Sequence, residues 1–413
     1  MKINEKMINS SGQGGGINAD KIDSCDVETS VSGGVVSIPR SDAVVIYVGV
    51  QSSYYRNNRF KLTSPAVRQT INTPSIVSLL INGNRFTDST SRSLNLGISS
   101  NWDNATYATP ANRAGKDFYL YACIPVSGNV PLFILSANTT YPTGYTANNS
   151  RKIGGFHCLC VSVGTTCYPY NNSRNDLSVL DDFYLTHDFT VADTSRHWLK
   201  DYVAGDIIPF SIWDLSHKPL TAPEGMTFDP NCGIWVQIYL PSHSGGLLYS
   251  KYNQPITSGS TSPNYHAFKY SQQYRAQKMR LLTQYEFMSI SLGSPQGVSI
   301  STSAMPAGAG GNTATNGQRI ISNIGVEDAT GVFWQWGEGQ SEIGTGASYI
   351  NAYDANDLNV GGQYYIQPNS PLFGGSWYNG VKGGSRGSLW DYAPLHLDSW
   401  RSGRGTSLVS SQV

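Results

Sequence analysis

Two short runs of alternating residues constrain the fold of this chain more than any other feature of its sequence. In "DFYLYACI" one strand face would carry Phe118, Leu120, Ala122 and Ile124, and the other Tyr119, Tyr121 and Cys123. In "GIWVQIYLP" one face would carry Ile234, Val236, Ile238 and Leu240. Successive side chains of a β-strand point to opposite faces of the sheet, so a period of two predicts strands.

The composition also favours strands and loops over helices. The 413 residues include 43 Gly, 20 Pro and 25 Tyr, and the chain lacks the Ala, Glu, Lys and Leu bias of helical proteins. A chain of this length suggests more than one domain. We therefore predict a mainly β protein with an α+β C-terminal domain.

Charged residues are scarce and balanced, with 28 Lys and Arg against 28 Asp and Glu. That balance provides no electrostatic footprint for nucleic acid or an anionic membrane. The longest apolar run, Ala43–Val50, is too short to span a bilayer. The N-terminus lacks the apolar segment of a signal peptide, so we expect synthesis in the cytoplasm. Neither nucleic-acid binding nor membrane insertion is predicted, and display on a particle stays open.

The chain divides into three predicted segments. Residues 1–40 are rich in Gly and Ser with weak periodicity, which predicts a flexible or partner-ordered tail. Residues 41–205 contain short strand-like runs separated by turn residues, which predicts a β-sandwich-like intermediate domain. One of these runs, "SIVSLLING", ends in an Asn-Gly turn signal at Asn82 and Gly83. Residues 206–413 form the third segment.

The third segment mixes strands, a short helix and long loops. Thr283-Gln-Tyr-Glu286 is a capping-box pattern that predicts a helix through Phe287 and Met288. Residues 294–323 are rich in Gly, Ala, Ser and Asn, which predicts long loops. "GVFWQWGEG" at 331–339 predicts a buried aromatic strand. Together these patterns predict the α+β domain.

The six Cys include a group that could be taken for metal ligands, namely "HCLC" at 157–160 with Cys167 nearby. Zinc pairs usually have two to four residues between the cysteines, whereas one residue separates Cys158 from Cys160. A strand with both thiols on one face explains the spacing equally well. We predict buried free thiols and no metal site.

No motif predicts an enzyme or a cofactor. The acidic pairs Asp181-Asp182 and Glu327-Asp328 have no recognisable nucleophile or His partner, and loop or capping roles explain both. The Gly-rich stretch near Gly14 lacks the Lys-Ser/Thr ending of a phosphate-binding loop. No catalytic residue is therefore predicted.

The segment Phe373–Gly405 has an unusual composition, with three Trp, two Tyr and three Arg among many Gly. The order of "RLLTQYEF", "GVFWQWGE", "FGGSW", "GSRGSLW" and "WRSGRG" resembles a C-type-lectin-fold family. That family includes formylglycine-generating enzymes and the variable proteins of diversity-generating retroelements, among them receptor-binding proteins at the tips of phage tail fibres. The likeness covers residues 116–405 and implies a β-sandwich followed by a C-type-lectin-like domain at 206–413.

The resemblance also implies a function and partners. The chain would be a virion protein at the tail-fibre tip that attaches the particle to a bacterial surface receptor, either protein or glycan. It would contact other tail-fibre proteins and form a homotrimer, with residues 1–40 serving attachment and trimerisation. Several weak binding heads on one fibre convert modest affinity into strong avidity.

In this family the C-terminal segment carries diversified side chains that form an exposed patch. By the resemblance this receptor-binding set consists of Ser376, Tyr378, Asn379, Gly380, Lys382, Leu389, Asp391, Tyr392, His396, Asp398, Trp400 and Arg401. The scaffold set consists of Gly374, Gly375, Trp377, Ser385, Arg386, Trp390, Arg404 and Gly405. Tyr, Trp, Arg, Asn and Ser are typical of paratopes, and the expected anchors are Trp400, Tyr378, Tyr392 and Arg401. An adenine-substituted AAC codon cannot encode Lys or Trp, so Lys382 and Trp400 come from other template codons or are not diversified.

Three alternatives share the fold or the sequence features. Formylglycine-generating activity uses late Cys chemistry, and no Cys follows Cys232. Calcium-dependent sugar binding is suggested by Gln367-Pro368-Asn369, although the companion Trp-Asn-Asp segment is missing. A cellular, surface-displayed variable ligand-binding protein is the third alternative, and the missing signal peptide weighs against it.

Overall fold

The computed structural model describes residues 30–32, 35–37, 61–65, 67–166, 197–300, 305–339, 341–345, 350–353, 359–364 and 367–410. Its regular structure is mainly β, with short helices, which confirms the predicted fold class at this level. None of the helices in the described part is long and apolar enough to cross a membrane. The apolar run Ala43–Val50 and the acidic pair Asp181-Asp182 lie outside the described residues.

The first ten strands of the described residues lie between positions 30 and 214. They are β1 Ser30–Ser32, β2 Val35–Ser37, β3 Thr70–Asn72, β4 Val77–Ile81, β5 Asn84–Asp88, β6 Ser93–Asn95, β7 Asp117–Cys123, β8 Leu132–Ser136, β9 Ser150–His157 and β10 Trp213–Asp214. The main sheet has the order β10–β9–β7–β8. The hairpin β4–β5 turns at Asn82 and Gly83, both with positive φ, as the Asn-Gly pair predicts.

Strand β7 shows the alternation that its sequence predicts. Phe118, Leu120 and Ala122 pack in one core cluster with the residues of β4, β5 and β9. Tyr119, Tyr121 and Cys123 pack in a second cluster on the opposite face, with Trp235 and Tyr274 of the C-terminal half. The central strand of this sheet therefore contacts both halves of the chain.

The C-terminal half contains the other thirteen strands of the described part. They are β11 Met226–Asp229, β12 Ile234–Gln237, β13 Ser242–Ser244, β14 Leu247–Tyr249, β15 Arg280–Leu281, β16 Trp334–Trp336, β17 Ser341–Thr345, β18 Ile350–Tyr353, β19 Asn359–Tyr364, β20 Gln367–Gly374, β21 Gly384–Tyr392, β22 Arg401–Gly403 and β23 Gly405–Leu408. One sheet has the order β11–β12–β23–β15, and a second has the order β17–β20–β16–β22 with β21 paired to β20. The described residues contain the α-helices α2 Ala267–Ala276 and α3 Gln284–Ile290 in this half, and α1 Pro110–Arg113 in the N-terminal half.

Three local patterns in this half form as predicted, whereas the predicted face of Ile234, Val236, Ile238 and Leu240 does not, because β12 ends at Gln237. Helix α3 begins at a complete capping box, in which Thr283 Oγ1 accepts from Glu286 N–H at 3.3 Å and Thr283 N–H donates to the Glu286 carboxylate at 2.9 Å. All three residues of β16 are buried, which confirms the aromatic strand. Residues 294–300 and 305–323 contain neither helix nor strand, which confirms the predicted long loops.

The cysteines of "HCLC" are buried, but the prediction that they share one strand face is wrong. Strand β9 ends at His157, so the period-two rule no longer applies beyond it. Cys158 packs in the core of the N-terminal half, whereas Cys160 packs with residues of the C-terminal half. Burial raises the pKa of both thiols. Cys25 and Cys167 lie outside the described residues.

A buried ionic cluster stabilises the loops that precede β16. Arg319 Nη2 donates to Glu327 Oε1 at 2.7 Å, and both side chains are almost fully buried. Asp328 accepts from Gly310 N–H and from Asn312 Nδ2. Burial and the charge of Glu327 raise the pKa of Asp328 to about 6. The pair Glu327-Asp328 therefore has the loop-holding role that its sequence suggests.

Candidate functional site

In the C-terminal segment Phe373–Gly405, residues 375–383 form the turn between β20 and β21. Gly375 has a φ of +78°, and a Cβ on it would lie 2.8 Å from the Gly383 Cα. Within the turn, Asn379 N–H donates to Ser376 O, and Lys382 N–H donates to Asn379 O, both at 3.1 Å. Only a residue without a side chain fits where the two ends of this turn meet. The turn presents Tyr378 and Lys382 to solvent.

Three aromatic rings form a graded cluster, in which exposure increases from the core to the surface. Trp377 is buried against Phe333, with ring centroids 5.4 Å apart. Trp400 is half-buried, 6.2 Å from Trp377. Tyr378 is 46% exposed, and its ring lies 4.6 Å from that of Trp400. The exposed aromatic surface is therefore held on a fixed base, which lowers the conformational entropy lost on binding.

A charged cluster lies in the same segment and is centred on Asp398. Arg401 Nη1 donates to Asp398 Oδ2 at 2.9 Å, and the guanidinium lies 3.7 Å from the ring centroid of Tyr392. The His396 ring lies 4.9 Å from that of Tyr392, and its Nε2 lies 3.8 Å from Asp398 Oδ2. Burial lowers the pKa of His396, and the positive charge of Arg401 lowers it further.

Strand β21 contains a bulge that turns two successive side chains outward. Ser370 pairs with Tyr392 and Leu372 with Leu389, so β21 has one residue more than β20 in this interval. A bulge of this kind disrupts the alternation of side chains along a strand. Trp390 and Asp391 are accordingly both exposed, whereas Leu389 is half-buried.

Comparisons with known proteins agree with this architecture. A family model described as "Mtd second domain" matches residues 93–179. The tail fiber receptor-binding protein of Bordetella phage BPP-1 is 28% identical over 317 residues, which cover 72% of each chain. Solved structures of the Major Tropism Determinant variants I1 and P3c have TM-scores of 0.63, identities of 21% and 22%, and matches that cover 85% of this chain and 84% of theirs.

The chain has the major tropism determinant fold. By sequence it is a homologue of the BPP-1 protein. These findings confirm the resemblance and the C-type-lectin-like fold class. The second-domain match falls within the predicted intermediate domain at 41–205, while the sheet of that part extends to β10 at Trp213–Asp214. The domain bounds themselves stay a prediction.

Within the major tropism determinant fold, the twelve predicted binding residues differ in exposure. Four are exposed, namely Tyr378, Lys382, Asp391 and His396. Six are half-buried, namely Asn379, Gly380, Leu389, Tyr392, Asp398 and Trp400. Two are buried, namely Ser376 and Arg401. Ser376 is enclosed by its own turn and bonded to the Asn379 side chain, and Arg401 is held by Asp398 and Tyr392. The prediction that these two side chains face outward is wrong.

The scaffold set needs one correction. Gly374, Gly375, Trp377, Ser385, Arg404 and Gly405 are buried as predicted. Trp390 is 40% exposed, because it lies on the outward face of β21 together with Arg386 and Ser388. Arg386 is exposed on that face as well, and its place in the scaffold set stays a prediction.

Exposed apolar residues next to the predicted set were missed. Val381 is 86% exposed in the turn, and Leu397 is 43% exposed beside His396. Apolar residues are usually assigned to a core, so sequence reasoning had no reason to place them outside. Their position between predicted binding residues was the one available signal.

Residues that the alternative sugar-binding and metal-binding functions would use have structural roles instead. Asn369 lies in β20, is 5% exposed, and donates from Nδ2 to Trp390 O at 2.8 Å. His157 is hydrogen-bonded to Asp117 Oδ1 through Nδ1 at 2.8 Å and to the Tyr239 hydroxyl through Nε2 at 2.9 Å. His157 and Tyr239 are both buried, so this arrangement is part of the core. Among the described residues, His, Cys, Asp and Glu form no group of three or more that could hold a metal ion.

Proposed function

We propose that this chain is a phage tail-fibre receptor-binding protein that attaches the virion to a bacterial surface receptor. The observation that supports this most strongly is the 28% identity to a tail fiber receptor-binding protein over 72% of both chains. The graded aromatic cluster of Trp377, Trp400 and Tyr378 supports it from the geometry. The proposed role requires binding and no chemical reaction, and it places the chain at the tail-fibre tip beside other virion proteins.

The proposed contact surface is the exposed and half-buried part of the predicted binding set. It consists of Tyr378, Asn379, Gly380, Lys382, Leu389, Asp391, Tyr392, His396, Asp398 and Trp400. Tyr378 and Trp400 are the proposed anchors, since exposed rings on a rigid base supply contact area at a low entropic cost. Ser376 and Arg401 act beneath this surface, where they hold Asn379, Asp398 and Tyr392 in place.

We expect Tyr378→Ala combined with Trp400→Ala to reduce binding to host cells about a hundredfold or more, since each truncated anchor removes roughly 2 kcal/mol. The measurement is the binding of fluorescently labelled full-length protein to intact cells from a panel of bacterial strains. Trp377 stays in place beneath the removed rings, so thermal unfolding of the variant should remain close to that of the wild type.

The matched control is Tyr141→Ala combined with Trp198→Ala, which removes a Tyr and a Trp of similar exposure, 42% and 39%, outside the segment. This variant should bind like the wild type. Chelation of calcium with EDTA should leave wild-type binding unchanged, whereas a loss would favour the calcium-dependent lectin. Equal binding by the anchor variant and its control would refute the proposed surface.

We also propose that the chain is a homotrimer, as the resemblance implies. Three binding faces on one trimer increase the avidity for a surface that displays several receptors, although no single face gains a contact. With 44.8 kDa per chain, light scattering of the full-length protein should give about 134 kDa. A mass near that of one chain would reject the trimer without affecting the proposed surface.

A further inference from the structure

A loop that precedes α2 supports residues 393–400, the loop that contains His396 and Asp398 of the charged cluster. The supporting loop, residues 257–266, lies between β14 and α2, and we call it the backing loop. Gly259 N–H donates to Asp398 O at 2.9 Å. Ala267 N–H, at the start of α2, donates to Pro394 O at 2.9 Å. These two backbone bonds hold the 393–400 loop near both of its ends.

Gly259 is the point of closest approach between the two loops. A Cβ on this residue would lie 2.0 Å from the Asp398 backbone nitrogen and 2.7 Å from the Leu397 Cα. Carbon atoms that are not bonded pack at about 3.5–4.0 Å, so a side chain at Gly259 would force the loops apart. Because the opposing atoms belong to the backbone, no rotamer change relieves this contact.

The backing loop is itself held in one shape by internal hydrogen bonds. Ser258 N–H donates to Thr261 Oγ1 at 3.1 Å, and Tyr265 N–H donates to Ser258 O at 2.9 Å. Tyr270 of α2 donates from its hydroxyl to Thr257 O at 2.7 Å, and both residues are buried. The 393–400 loop is partly exposed, with His396 and Leu397 in solvent. A clash between the two loops is therefore relieved by movement of the 393–400 loop.

Movement of Asp398 would disturb several residues of the proposed contact surface at once. Its carboxylate accepts from Arg401 and lies near His396, and its Oδ1 accepts from Trp400 N–H at 3.4 Å. We propose that Gly259 is a positioning residue for receptor recognition: it sets the place of Asp398, and through it that of His396 and Trp400. This inference rests on the proposed function.

We expect Gly259→Ala to weaken binding to host cells about tenfold, which corresponds to about 1.4 kcal/mol. In the same variant, hydrogen–deuterium exchange should become faster in residues 393–400 and 257–266, with the remaining protected amides unchanged. Gly97→Ala is the matched control, since its Cβ would meet a single side-chain atom, Asn95 Oδ1, at 3.1 Å. That control should change neither binding nor exchange in these loops.

A double-mutant cycle separates positioning from an independent structural effect. If Gly259 acts through the 393–400 loop, its effect on binding should be smaller in a Trp400→Ala background than in the wild type. Full additivity of the two effects would overturn the proposal, as would wild-type binding by Gly259→Ala.

Should Gly259→Ala lose protection throughout the chain, Thr261→Val takes its place, because it removes the hydroxyl that holds Ser258 without adding bulk. That variant should weaken binding severalfold and loosen the same two loops. Unchanged binding with an intact fold would contradict the positioning role. Failure of the proposed function is distinguishable, since it would appear as equal binding by the Tyr378/Trp400 variant and its control, whereas the exchange measurement needs no receptor.

Discussion

Replacement of Arg319 by alanine is expected to destabilise the C-terminal half of the chain by about 3–5 kcal/mol, the usual effect of removing one partner from a buried ion pair. Glu327, which is fully buried, would lose the guanidinium 2.7 Å away, and Asp328 beside it is also buried. An uncompensated charge at low dielectric is far more costly than a lost surface contact. Urea and thermal unfolding, followed by Trp fluorescence, measure the effect.

Acid should partly rescue this variant. Burial and the charge of Glu327 raise the pKa of Asp328 to about 6, and the charge of Arg319 opposes that rise. Without Arg319 the folded variant therefore binds a proton at Asp328 more tightly than the unfolded chain does. Stability therefore rises as the pH falls wherever the folded state binds more protons. The destabilisation relative to the wild type should be smaller at pH 5 than at pH 8.

The exposed pair Arg275–Glu338 is the matched control for Arg319. Its atoms lie 3.3 Å apart, and the Arg275 side chain is 69% exposed. Solvent screens such a pair, so Arg275→Ala should cost at most about 1 kcal/mol. If both alanine variants unfold at the same denaturant concentration, the buried pair does not contribute the stability expected of it.

The parts of the fold that were predictable from the sequence depend on local periodicity. The alternation in β7 places Phe118 and Leu120 on one face of the strand and Tyr119 and Tyr121 on the other, as their order in the sequence predicts. The capping box at Thr283 likewise involves residues three positions apart. Such features need no knowledge of distant contacts, because neighbours along the chain determine them.

The predictions that were wrong concern residues whose burial depends on contacts with segments distant in the sequence. Trp390 was assigned to the core on its residue type, but it lies on the outward face of β21, and the pairing of β21 with β20 decides which face that is. Arg401 was expected at the surface, yet Asp398, Tyr392 and Trp336 enclose it. Gly259 lies in a polar loop without any motif, and its contact with Asp398 exists only in the folded chain. None of these contacts leaves a periodic signal in the sequence.

Arg404 shows how one side chain can join the two sheets of the C-terminal half. It lies between β22 and β23 and is fully buried. Its Nε donates to Gln335 Oε1 of β16 at 2.8 Å, and Nη1 donates to the carbonyls of Gln237 and Ile238 at 2.7 and 2.9 Å. Nη2 donates to the carbonyls of Glu327 and Asp328. The guanidinium thus satisfies acceptors from both sheets and from the ionic loop.

Arg404→Ala should therefore cost at least about 3 kcal/mol, since each buried polar group left without a partner costs about 1–3 kcal/mol. The loss should appear as a lower unfolding midpoint and as faster hydrogen exchange in β12, β16 and β23 together. Arg404→Lys is the control, because an ammonium keeps the charge but lacks the planar fork that reaches several carbonyls at once. Its stability should fall between those of the wild type and Arg404→Ala. An alanine variant with the wild-type midpoint would mean that backbone pairing within each sheet, rather than this guanidinium, keeps the two sheets together beneath the contact surface.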